Sequence, residues 1–141
     1  MLALKASLEY INPQSTIHIV SHSFGSGVSA LALNEMGMEV DKLVYLTSAN
    51  RVEDIFRNFQ EMINLSEASF KKMLDMSEEL VKVDFMKLNV QDILKDVKYK
   101  KLLLVHDKFD KMLPYSYSKE IAEVSRDCEL MTIENKGHTG M

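Results

Sequence analysis

Ile17-His18-Ile19-Val20-Ser21-His22-Ser23-Phe24-Gly25 is a largely apolar, β-branched run that stops in a tight turn with a serine at its tip. Behind it, Gly27-Val28-Ser29-Ala30-Leu31-Ala32-Leu33 reads as a helix whose small residues face back toward a strand. Strand, serine and helix in that order form a turn of the type Gly-x-Ser-x-Gly, here Ser21-His22-Ser23-Phe24-Gly25. The second glycine is present, and the first is replaced by another small residue. Such a turn holds a hydroxyl at the top of a parallel sheet with a helix N-terminus aimed at it. Read alone, Ser23 serves equally well as the cap of the helix that follows.

Outward from this turn the chain alternates strands and helices. Leu4, Leu8 and Ile11 stand at helical spacing, so residues 2–11 are expected to be a helix, stopped by Asn12-Pro13. The first strand is predicted at 16–21 and the helix after the turn at 25–37, closed by Gly37. Residues 42–47, 101–106 and 128–133 are three further strands, and a helix is predicted from Tyr115 to Arg126 behind Pro114. The continuous apolar runs of strands two and three belong to parallel sheets buried on both faces. Strands alternating with helices give an α/β architecture, a mostly parallel sheet of about four strands flanked by helices.

Residues 50–97 differ from the rest, with two amphipathic helical stripes and almost no Gly or Pro. Val52, Ile55, Phe56, Phe59, Met62 and Ile63 mark one stripe; Phe70, Met73, Leu74 and Leu80-Val81 mark the other. The region is longer than a crossover requires. It reads either as a helical lid insertion, with Met and Phe lining a pocket, or as ordinary packing of helices against a sheet.

Composition narrows the functional classes. The chain has 141 residues, enough for one domain, and a formal net charge of −4. That balance disfavours nucleic acid as a partner, which calls for a basic footprint. Cys128 is the single cysteine, so no disulfide forms within the chain, and a reducing, cytoplasmic setting is expected. No stretch approaches the roughly 20 apolar residues of a membrane span. Four histidines at 18, 22, 106 and 138 lack metal-ligand spacing, so no metal is expected; no cofactor is expected either.

A serine hydroxyl attacks only when a base takes its proton, and the base needs an acid to orient it. In open parallel sheets such groups collect at the carboxyl ends of strands. The third strand runs into His106-Asp107-Lys108-Phe109-Asp110-Lys111-Met112-Leu113-Pro114, and the fourth into Asn135-Lys136-Gly137-His138. Asp107 and Asp110 are both available as the acid on position alone. His106 reads as structural, and His18 as a buried, hydrogen-bonded residue in mid-strand.

These motifs, in this order, resemble the α/β-hydrolase superfamily over essentially the whole chain. His106, Asp110, Leu113 and Pro114 match the family's acid loop His-Gly-x-x-Asp-x-x-Val-Pro, with Asp107 standing where glycine is usual. Gly137-His138 matches the glycine that commonly precedes the family's histidine. The resemblance implies an esterase-like serine hydrolase with a small-molecule ester or acyl substrate. In it Ser23 is the nucleophile, His138 the base, Asp110 the acid, and the backbone N–H of Phe24 one oxyanion donor. It also implies that strands before residue 1, an oxyanion loop and a closing helix are lacking. The nucleophile strand would then be an open edge, inviting self-association as a homo-oligomer. A non-catalytic module that associates through that edge is the alternative reading.

Overall fold

The computed structural model describes residues 2–11 and 15–140. Asn12, Pro13 and the side chain of Val81, all used above, lie outside the described residues. In chain order the elements are α1 (Leu2–Tyr10), β1 (His18–His22), α2 (Phe24–Met36), β2 (Glu39–Leu46), α3 (Val52–Met62), α4 (Glu67–Val81), α5 (Val90–Ile93), β3 (Lys98–Asp107), α6 (Ser116–Val124) and β4 (Cys128–Ile133). A 3₁₀ turn at Phe85–Lys87 lies between α4 and α5. Residues 1–50 and 90–141 make one compact unit, and 51–89 another.

The first unit is built on a four-stranded parallel sheet in the order β1-β2-β3-β4. β2 and β3 start earlier than their apolar runs, at Glu39 and Lys98. Ladder bonds continue through these polar residues, and Lys100 pairs with Asp41 across the two strands. On one face, Leu43, Tyr45, Leu102 and Leu104 are almost completely buried. Against them pack Ala30 and Leu33 of α2, Val90 of α5 with Leu94 and Val97 behind it, and Ile121 of α6. Asn50 ties the end of β2 to this layer through Gln91 and Glu120, at 3.0 and 2.8 Å. Gly37 ends α2 as expected: its φ of 61° is left-handed, where a side chain costs about 1–2 kcal/mol, and its N–H meets Asn34 O at 3.1 Å.

The opposite face of the sheet differs from the expectation of double burial. There Val44 of β2 and Leu103 and Val105 of β3 are only half-buried, and on the flanking strands Val20 is 67% exposed and Met131 46%. Apolar continuity does not specify what lies over a face, so burial on both sides does not follow from it. His18 is a correction of the same origin. It is exposed rather than buried, because β1 is an edge strand and His18 alternates with Ile19, pointing to the same side as Val20.

In the second unit, Ser66 caps α4 by accepting the Ser69 N–H at 3.2 Å. The Phe56 and Phe85 rings meet at 5.2 Å. Phe70 is buried beneath the Arg57 guanidinium, which lies 4.6 Å from its ring and bonds Glu67. Met62, Ile63 and Leu80, placed on the apolar stripes above, stand exposed. Among the described residues no helix is long and apolar enough to cross a membrane.

The two faces of the sheet predict opposite sensitivities. Leu104→Ala removes a fully buried side chain and should cost about 2–5 kcal/mol, a large part of the roughly 5–15 kcal/mol that holds a domain. Val20→Thr on the open face should stay within about 0.5 kcal/mol. Urea denaturation followed by circular dichroism measures both.

Candidate active site

β1 ends at His22 and α2 begins at Phe24, leaving Ser23 alone to turn the chain. Ser23 has φ 54° and ψ −126°, a region that L side chains avoid and that persists only where surrounding bonds impose it. They do so here. The Ser23 N–H donates to Leu46 O at 2.9 Å, and its carbonyl accepts from Ser26 N–H at 3.1 Å and Ala49 N–H at 3.4 Å. The Ser26 hydroxyl adds a third bond to that carbonyl at 2.6 Å, and Ser48 donates to Ser26 Oγ at 2.8 Å. Ser26 and Ser48 are fully buried. Beneath them, Ser29 bonds Ser26 O, Tyr45 Oη and Ser21 Oγ at 3.0–3.2 Å. Burial pushes the Tyr45 phenol far up, with only partial opposition from Ser29, so this network is neutral throughout.

The capping reading of Ser23 is not realised, because its hydroxyl makes no bond to the α2 backbone. Instead Ser23 Oγ lies 2.9 Å from His138 Nε2, and His138 Nδ1 lies 2.8 Å from Asp110 Oδ2. The three side chains come from the ends of β1, β3 and β4. Asp110 has no exposed side-chain surface and His138 only 9%. Asp110 Oδ1 accepts the N–H groups of Met112 and Leu113 at 2.8 and 3.1 Å. Burial works to raise the Asp110 pKa, but the His138 bond and those two amides outweigh it and hold the carboxyl below its ordinary value. A carboxylate at Nδ1 selects the tautomer with Nδ1–H, leaving Nε2 to accept from the serine.

The remaining sequence candidates fall into place around this chain of bonds. Asp107 does not contact the imidazole; its carboxylate accepts backbone N–H groups of Phe109, Lys136 and Gly137. His22 donates from Nε2 to His138 O at 2.8 Å, and the two rings stand 5.0 Å apart. His106 is fully buried between Ser118 Oγ at 2.7 Å and Leu113 O at 3.2 Å. Burial lowers its proton affinity despite the Leu113 carbonyl and Asp110. Cys128 is half-buried at the start of β4, with its thiol pushed up to about 11 by burial, the opposite of an activated nucleophile. Phe24 is the first residue of α2, where a backbone N–H has no acceptor within the helix.

Residues 1–51 match the family model described as alpha/beta hydrolase. No curated protein sequence matches the chain. Among solved structures, Est1E from Butyrivibrio proteoclasticus superposes with a TM-score of 0.69 at 19% identity, over 97% of this chain and 58% of that one. An alpha/beta fold family hydrolase from Bacillus anthracis gives 0.63 at 18%, over 97% and 64%. An esterase from Pyrococcus furiosus gives 0.62 at 19%, over 99% and 53%. The chain thus spans less than two thirds of each of these proteins. With Ser23 in its turn, the parallel order β1-β2-β3-β4 and these likenesses together, the resemblance to the α/β-hydrolase superfamily holds, and the fold is a part of the α/β-hydrolase fold.

Proposed function

We propose that this protein is a serine hydrolase that cleaves an ester or related acyl bond of a small molecule. The observation that carries the reading is the continuous hydrogen-bond chain Asp110–His138–Ser23, with the serine held at φ 54°. In the proposed reaction Ser23 Oγ attacks the substrate carbonyl carbon while His138 Nε2 takes the hydroxyl proton. Asp110 stabilises the resulting imidazolium through Nδ1–H. The tetrahedral oxyanion accepts from the Phe24 N–H, a donor worth roughly 10²–10³ in rate. Collapse returns the proton from Nε2 to the departing alcohol and leaves an acyl-serine. Water, deprotonated by the same imidazole, then releases the acid. Every proton has a donor and an acceptor within the site, so no cofactor enters.

The reading is tested with a fluorophosphonate probe and p-nitrophenyl acetate. Ser23 should be labelled, and Ser23→Ala should abolish labelling. Asp110→Asn should lower kcat by about 10⁴. Ser26→Ala, which takes one donor from the Ser23 carbonyl, should slow labelling roughly fivefold, the equivalent of about 1 kcal/mol. A folded chain that is never labelled would reject the reading.

The same pairing has a signature in stability. Asp110 has its carboxyl below the ordinary 3.8, so the stabilisation is complete above that unfolded value. It is lost as pH falls through the lower folded value, because the unfolded chain then binds the extra proton. Unfolding free energy measured in urea should fall below about pH 4, and Asp110→Asn should show a shallower acid slope.

A further inference from the structure

Asp107 occupies the acid-loop position where the family pattern has glycine, and the proposed reaction makes no direct use of it. It is the last residue of β3 and has no exposed surface. Its Oδ1 accepts the Phe109 N–H at 2.7 Å, and its Oδ2 accepts the N–H groups of Lys136 and of Gly137, the latter at 2.7 Å. The first contact lies in the loop that carries Asp110, and the others lie one and two residues before His138. Asp107 therefore joins the two loops with one carboxylate.

The loop it grips is a conformation the chain would not hold unaided. Asn135 has φ 62° and Gly137 φ 67°, so two of the three residues before His138 are left-handed. Successive amides in such a bend point inward and form an anion-binding concavity. Asp107 fills it with a side chain of the same protein. The Phe109 amide most of all, and those of Gly137, Lys136 and Asn135, hold its carboxyl below the usual range against the opposition of burial. On the far side, the His138 carbonyl is fixed by His22.

We propose that Asp107 is a positioning residue for His138, its carboxylate bracing the histidine loop so that the imidazole spans Asp110 and Ser23. The inference rests on the reading of His138 as the base. Both carboxylate oxygens are occupied as acceptors, so an amide of the same shape cannot replace them. In Asn, one edge is a donor and meets either Phe109 N–H or the Lys136 and Gly137 pair. The loop must then shift, and a displacement of about 1 Å at a reacting group costs about 100-fold in rate.

The test compares the full wild-type chain with Asp107→Asn and Gly137→Ala. Its first readout needs no turnover: the downfield proton resonance of His138 Nδ1–H, assigned by its disappearance in His138→Ala. The second is kcat against KM for p-nitrophenyl acetate. Asp107→Asn is expected to keep a cooperative melt, lose or broaden that resonance, and lower kcat about 100-fold with KM within about twofold. A sharp resonance and unchanged kcat in Asp107→Asn overturn the proposal, as does a wild-type chain without the resonance. If Asp107→Asn fails to fold, Gly137→Ala decides, since it disturbs the same loop with Asp107 intact. Loss of resonance in a folded Gly137→Ala supports the bracing role; an unchanged resonance, or loss of fold there too, overturns it. A wild-type chain that has the resonance but does not react with the fluorophosphonate rejects the hydrolase reading alone and leaves the Asp107 result legible.

Discussion

Ser23 at φ 54° is the constraint on which the site depends. A non-glycine residue held there costs on the order of 1–3 kcal/mol, and nothing local to Ser21-His22-Ser23-Phe24-Gly25 compensates for it. The compensation comes from β2 and the turn beyond it: Leu46 receives the Ser23 N–H, Ala49 donates to its carbonyl, and Ser48 supports Ser26, which donates to the same carbonyl. The turn is therefore held by tertiary structure. The parallel register that brings His22 opposite Leu46 also sets the Ser23 backbone, and the packing of Leu43 and Tyr45 beneath α2 sustains that register.

The cluster of serines under the turn answers a question that hydrophobic patterning leaves open. Ser21, Ser26, Ser29 and Ser48 occupy positions where an ordinary sheet–helix interface would have Ala or Val. Burying a hydroxyl without a partner costs more than its bond returns, yet each of these four is bonded. Ser48 and Ser26 form a neutral hydroxyl chain that ends on the Ser23 carbonyl, and Ser21 and Ser29 form a second one that ends on the Ser26 carbonyl. Polar side chains make the turn's geometry directional, which packing alone does not.

Much of this was legible in the sequence because strand periodicity and turn chemistry are local. β4 falls on residues 128–133 as expected, and Gly37 closes α2. Position along the chain left Asp107 and Asp110 open, and the motif resemblance selected Asp110; in the structure it is Asp110 that contacts His138. What failed depended on neighbours that a single strand does not encode. His18 is exposed because β1 lies at the edge, and Val20 and Met131 because their face of the sheet is open. The serine network was missed although part of its signal was present: serines at positions 21, 26 and 29 across a strand end and one helix face, with Ser48 just beyond the second strand.

Two aspartates and two histidines crowd the ends of β3 and β4, and their surroundings divide the roles. Asp107 is saturated by backbone amides, so its charge is spent on geometry. Asp110 takes two amides on one oxygen and keeps the other for an imidazole. His106 Nε2 also lies 3.7 Å from that second oxygen and would compete for it if protonated. Burial prevents this: a desolvated imidazole resists its charge, and the Leu113 carbonyl directs the single Nε2–H away from the carboxylate. Because His106 stays neutral, the negative charge of Asp110 is available to the one imidazole that also reaches Ser23.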